Sequence, residues 1–150
     1  MKKSAKFRHG LHLALLAGIL FLLYFSYSRP WAIGSLAMIE KTVYVSDVKY
    51  FGLVFIAAAA LGLVAFLYVL ITRKSFWPGF IILASGGLML LLCWYVLGRI
   101  KAKEISLFGI DPLTILSTRP GAGLTAFFIC AVLMGFIGLI YLFESLFRRK

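Results

Sequence analysis

The chain has 150 residues, 63% of them apolar and 14% charged, with a formal net charge of +11 and a mean hydropathy of +1.01. A soluble domain is about 45–50% apolar and about 25% charged, and a chain this short cannot hide so much apolar surface from water. Composition therefore excludes a water-soluble globular domain and makes a bilayer the solvent for most of the chain.

Residues without charge form four runs, at 10–28, 50–72, 75–98 and 120–143, of 19, 23, 24 and 24 residues. A hydrocarbon core about 30 Å thick needs about 20 helical residues at about 1.5 Å each, so each run is long enough to cross. Strands of a β-barrel would be about ten residues long with alternating polarity, a pattern the runs do not show. The expected architecture is an all-α integral membrane protein, a four-transmembrane-helix bundle forming one transmembrane domain over residues 1–150.

The opening MKKSAKFRHG is basic and leads directly into the first run. That run is longer than the apolar stretch of a signal peptide, about 7–15 residues, and is read as a retained signal anchor. His9 and His12 are three apart and share one helical face. Two further ligands would be needed to hold a metal, and only Glu144 is placed to help, so interfacial histidines without a ligand role are expected. Within the run Gly10, Ala14 and Gly18 are spaced by four, and Tyr24, Tyr27 and Trp31 crown its far end. Small residues let helix backbones approach closely in lipid. These six residues are the candidate interface, with packing inside the bundle as the plainer alternative for the small ones.

The segment 29–49 stays apolar after Arg29, so Trp31, Ile33, Leu36 and Ile39 are read as a short helix along the interface. KTVYVSDVKY alternates weakly like a strand, as does KEISLFGIDPLTIL in the segment 99–119. The two segments are expected as irregular loops, with pairing into a small sheet as the alternative. Small residues recur at Ala57–Ala60, Ala58 and Gly62, Ala84–Gly87, and Ala131 and Gly135. Between the second and third runs lies a short break, Arg73-Lys74, followed by Trp77-Pro78-Gly79. Cys93 and Cys130 fall in the third and fourth runs; they form no Cys-x-x-Cys pair and are expected to be buried, unreactive thiols at different depths. PGAG, residues 120–123, lacks the lysine and preceding strand of a phosphate loop; its glycines are read as letting the fourth helix begin against a neighbour.

With four crossings the Arg73-Lys74 hairpin lies on the same side as both termini. Those segments carry Lys2, Lys3, Lys6, Arg8, Arg73, Lys74, Arg148, Arg149 and Lys150, nine cations against one acid, whereas the two longer loops carry seven cations and four acids. The positive-inside rule then places both termini in the cytoplasm, and the nine cations are expected to contact lipid headgroups. Tyr50, Trp94 and Tyr95 on one side, and Tyr68, Phe76, Trp77 and Tyr141 on the other, read as two interfacial belts. The cations are scattered along membrane edges, unlike a nucleic-acid footprint, which needs them clustered on one face.

The layout resembles that of small bacterial tetraspan membrane proteins, through Pro30-Trp31 opening the first outer loop, the Arg73-Lys74 hairpin and the Pro120–Gly123 entry to the last helix. This resemblance implies a multi-pass protein of the bacterial inner membrane. None of the runs contains Asp, Glu, Lys or Arg, which proton relays and ion pathways ordinarily need. No nucleophilic triad, metal-ligand run or carboxylate dyad can be assembled, so neither enzymatic activity nor a cofactor, metal or small-molecule substrate is expected. The expected role is a non-catalytic accessory subunit of a larger membrane assembly, its partners being lipid and other membrane subunits. A homo-oligomeric channel or transporter lined by Ser85 and Thr125 is the alternative, and an immunity-type or lipid-binding protein a third reading.

Overall fold

The computed structural model describes residues 2–36, 39–47, 49–72, 76–101 and 117–147. Among them are four long helices, α1 (Lys2–Ser28), α2 (Lys49–Thr72), α3 (Phe76–Lys101) and α4 (Ala122–Phe147). Each holds a stretch long and apolar enough to cross a membrane: Gly10–Ser28, Gly52–Thr72, Phe76–Ile100 and Ala122–Phe147, with mean hydropathies of 1.8, 2.8, 2.3 and 2.6. The chain is a multi-pass helical membrane protein. Its helices overrun the charge-free runs, because a helix satisfies its own backbone whether its surface meets lipid or water. α1 thus begins in the basic N-terminal segment and α4 carries Glu144 past the apolar run.

Prolines mark the helix boundaries. Pro30 disfavours the helical conformation at Arg29 and stops α1. Pro78 lies in the first turn of α3, where no intrahelical N–H bond is lost. α4 packs chiefly against α3 and then against α1, α2 packs chiefly against α3, and α1 meets α2 only sparsely. The α3–α4 crossing is close because glycines face backbone. A Cβ on Gly86 would stand 2.7 Å from the Gly135 nitrogen and 3.0 Å from the Ala131 oxygen, and one on Gly138 would stand 2.6 Å from the Leu83 nitrogen. α2 closes on this pair at Gly62, beside Ser85 and Met134, and the Ser85 hydroxyl donates to the Ala58 carbonyl oxygen at 2.5 Å. Met89, Phe127, Cys130, Ala131 and Met134 fill the centre, each at most 1% exposed.

A small antiparallel sheet lies at the end of the bundle where α1 finishes and α4 starts. It has three strands in the order β2-β1-β3, with β1 Ala32–Leu36, β2 Ile39–Val43 and β3 Ser117–Pro120. β1 is central, pairing Ala32 with Val43 on one side and with Pro120 on the other. Where irregular loops were expected, with a short interfacial helix through Trp31, Ile33, Leu36 and Ile39, the described residues instead form the small sheet that was the alternative. The reason is non-local: β1 fills its backbone hydrogen bonds from both neighbours, one of them contributed by residues 117–120. The strand-like alternation of the segment 43–46 gives way to a 3-10 turn at Val45–Asp47. The alternation expected in the segment 103–116 lies outside the described residues.

Candidate functional site

α1 is attached to the bundle along one side only. Ile19, Leu23 and Ser26 are buried, while Gly10, Leu13, Ala14, Ala17, Gly18, Phe21 and Tyr24 are exposed. The apolar window of α1 is 17% buried, against 39%, 33% and 44% for α2, α3 and α4. A Cβ added at Gly10 or Gly18 would meet nothing within 4 Å. The Gly10–Ala14–Gly18 stripe is thus not consumed by packing inside the chain, in contrast to Gly62, Gly86 and Gly138. Leu13, Ala17 and Phe21 belong to the same open side and were not singled out from the spacing of small residues alone; a helical wheel of α1 shows them beside Gly10 and Ala14.

Of the three aromatic residues expected to crown this face, two do. Tyr24 and Tyr27 are exposed, with Tyr27 leaning on Phe55 at 6.4 Å between ring centroids. Trp31 is not part of the crown. It is 3% exposed, its ring packs on Phe127 at 4.9 Å and Phe55 at 5.9 Å, and its Nε1–H donates to the Ser26 carbonyl oxygen at 2.9 Å. An indole is large enough to fill the gap between α1, α2 and α4, and its one donor finds an acceptor at the end of α1, which removes the reason for it to face the headgroups.

Of the expected headgroup contacts, Lys2, Lys3, Lys6 and Arg8 lie on the first turns of α1; Arg73, Lys74, Arg148, Arg149 and Lys150 lie outside the described residues. His12 is half-buried at the opposite end of the bundle from the sheet, shares a hydrogen bond with the Tyr141 hydroxyl, and stacks on Tyr141 and Phe66 at 5.5 and 6.3 Å. Tyr141, read from sequence as a belt residue, is 3% exposed. The pairing has a signal in sequence: His12 lies two residues inside the start of the first apolar run and Tyr141 two residues inside the end of the fourth, so antiparallel helices bring them to one depth.

Cys93 and Cys130 are free and buried. Gly86 faces Ala131 and Gly135, so Cys93, seven residues further along α3, lies level with the antiparallel α4 about seven residues back from that crossing, about one turn away from Cys130. Ser85, a candidate channel-lining residue, is occupied with the Ala58 carbonyl, whereas Thr125 is exposed and its hydroxyl donates to the Gly121 carbonyl oxygen at 3.4 Å. The PGAG glycines do open α4 against a neighbour, the α1–β1 turn. The Gly121 N–H donates to the Trp31 carbonyl oxygen at 2.8 Å and the Gly123 N–H to that of Pro30 at 3.0 Å. Among the described residues no group of three His, Cys, Asp or Glu side chains is placed to hold one metal ion.

Compared with models of protein families, with curated proteins and with solved structures, the chain matches none.

Proposed function

We propose that the chain is a non-catalytic integral membrane subunit that docks another transmembrane helix on the open side of α1, in a bacterial cytoplasmic membrane with both termini inside the cell. One observation carries this reading: α1 is the least buried of the four helices, and its stripe of small residues is open rather than packed. In lipid there is little hydrophobic gain in bringing two helices together, so association depends on close backbone approach and dispersion contact. Gly10, Ala14 and Gly18 offer that approach, and Tyr24 and Tyr27 offer broad rings at the far end.

Purification of the full chain through a terminal tag in mild detergent, compared with the Ala14→Leu/Gly18→Leu variant, tests this. The wild type is expected to bring down a stoichiometric membrane partner and the variant to lose it while remaining folded, since both positions are exposed. A wild type recovered alone overturns the reading. Recovery as a homo-oligomer would shift it to the channel alternative, which ion flux from vesicles holding only this protein would then decide.

A further inference from the structure

At the sheet end of the bundle an open groove of about 370 Å³ lies between α1 and α4, lined by Phe21, Leu22 and Phe25 of α1 and by Ala122, Thr125, Ala126 and Ile129 of α4. The lining is apolar apart from the Thr125 hydroxyl, which is turned to the Gly121 carbonyl. Arg29, one residue beyond the end of α1, reaches the lining residue Phe25. The guanidinium lies 5.3 Å from the centroid of the Phe25 ring, and among the described residues it has no hydrogen bond or ion pair to a side chain. The side chain is exposed, but its backbone is fixed: the N–H donates to the Phe25 carbonyl oxygen at 3.1 Å, and the carbonyl oxygen would stand 2.4 Å from a Cβ at Gly123.

We propose that this groove and Arg29 form a binding site for one anionic phospholipid, with an acyl chain along Phe21, Phe25, Ala126 and Ile129 and the phosphate on the Arg29 guanidinium. Depth fits a lipid. From Phe21 to the end of α1 at Ser28 is seven residues, about 10 Å of helix, which matches the upper part of one leaflet of a hydrocarbon core about 30 Å thick. The cation then lies at headgroup level. Charge fits an anion: the Phe25 ring attracts the guanidinium without neutralising it, and the planar fork with five N–H donors matches phosphate oxygens. Shape fits a flexible chain, because the groove is open rather than closed over a compact ligand. The groove lies apart from the basic N-terminal turns of α1; it continues the open side of α1 beyond the Gly10–Gly18 stripe and shares Phe21 with it.

The purified full chain, reconstituted in vesicles of neutral lipid, tests the site. Phosphatidylglycerol bearing a photoreactive acyl chain is compared with phosphatidylcholine bearing the same chain, and labelled peptides are mapped by mass spectrometry. Phosphatidylglycerol is expected to label the segments 21–29 and 122–129 about five-fold more than phosphatidylcholine, the factor that one interfacial cation supplies. Arg29→Gln is expected to bring the two lipids level there, and Arg29→Lys to retain part of the preference. Ala122→Trp, at an exposed position in the first turn of α4, is expected to block the groove and lower both labels. Equal labelling of the wild type, a preference that survives Arg29→Gln, or chain-to-chain cross-links from the groove without lipid label each overturn the proposal. The experiment contains no other protein, so its outcome is independent of whether α1 docks a partner subunit.

Discussion

At the scale of single residues, glycines decide how closely the elements approach, and what a methyl group would strike separates them. At Gly121 an added Cβ would stand 2.0 Å from the Pro30 carbonyl oxygen and 2.7 Å from its carbon. Those are backbone atoms of the α1–β1 turn, held by the hydrogen bond from Gly121 to Trp31. At Gly62 the nearest atom, 1.9 Å away, is the terminal methyl of Met134, which a flexible side chain can withdraw; next is the Ser85 hydroxyl at 2.7 Å. Gly121→Ala is therefore expected to destabilise by about 1–3 kcal/mol, as overpacking does, and Gly62→Ala by less. Unfolding midpoints in mixed detergent–lipid micelles check the order, and equal losses or the reverse order would contradict the account. Ser85→Ala removes one hydrogen bond between α3 and α2. In membranes such bonds contribute about 0.6 kcal/mol on average, so its midpoint is expected to move less than that of Gly121→Ala.

At the scale of elements, α1 packs along α4 through Ile19 and Leu23, but aromatic rings tie it to α2 only near its two ends. Near the sheet, Trp31, Phe55 and Phe127 form a triangle of rings 4.8–5.9 Å apart; at the other end His12, Phe66 and Tyr141 form a second, 5.5–6.3 Å apart. Each triangle joins α1 or its exit to both α2 and α4, and between them α1 and α2 barely touch. A double-mutant cycle on His12→Phe and Tyr141→Phe keeps both rings while removing the hydrogen bond. A coupling of about 0.6–1.7 kcal/mol is expected from the membrane range, and a coupling near zero would mean that stacking alone holds this end.

These triangles also mark what the sequence could convey. The crossings were legible because charge is expensive in hydrocarbon, so gaps between charged residues report the spans directly. The burial of Trp31 and Tyr141 was not legible from either ring alone, because a ring near a span end has the same sequence signature whether it faces headgroups or a neighbouring helix; only the matching depth of His12 and Tyr141 hinted at their pairing. The sheet was legible only as an alternative to irregular loops, and the positions of its strands were not, for a related reason. β1 and β3 are four or five residues each, and Ala32 meets Pro120 across two intervening helices, a pairing that no local pattern encodes. Of the candidate face, the small-residue stripe was legible from its spacing, but whether it was packed or open was not, since close crossings and free faces use the same residues.

At the scale of the whole molecule, the two ends of the bundle differ in a way that argues for its direction in the membrane. One end carries the α1–β1 turn and the three-stranded sheet; the other carries both termini and the short break after Thr72. In the sequence, the segments before the first apolar run, between the second and third, and after the fourth carry nine of the 16 Lys and Arg residues against one acid, and short basic loops are retained in the cytoplasm. The flanks of the first crossing point the same way, with Lys2, Lys3, Lys6 and Arg8 before it and Arg29 after it. Single cysteines at Ser46→Cys and Ser75→Cys read the direction with little background, because the native thiols Cys93 and Cys130 are buried in the bundle. A membrane-impermeant maleimide added to intact cells is expected to label Ser46→Cys, whose exposed position adjoins the sheet. Ser75→Cys is expected to label only after the membrane is opened. Labelling of Ser75→Cys alone in intact cells would reverse the direction and place the Arg29 lipid site in the inner leaflet, while leaving the four crossings as they are.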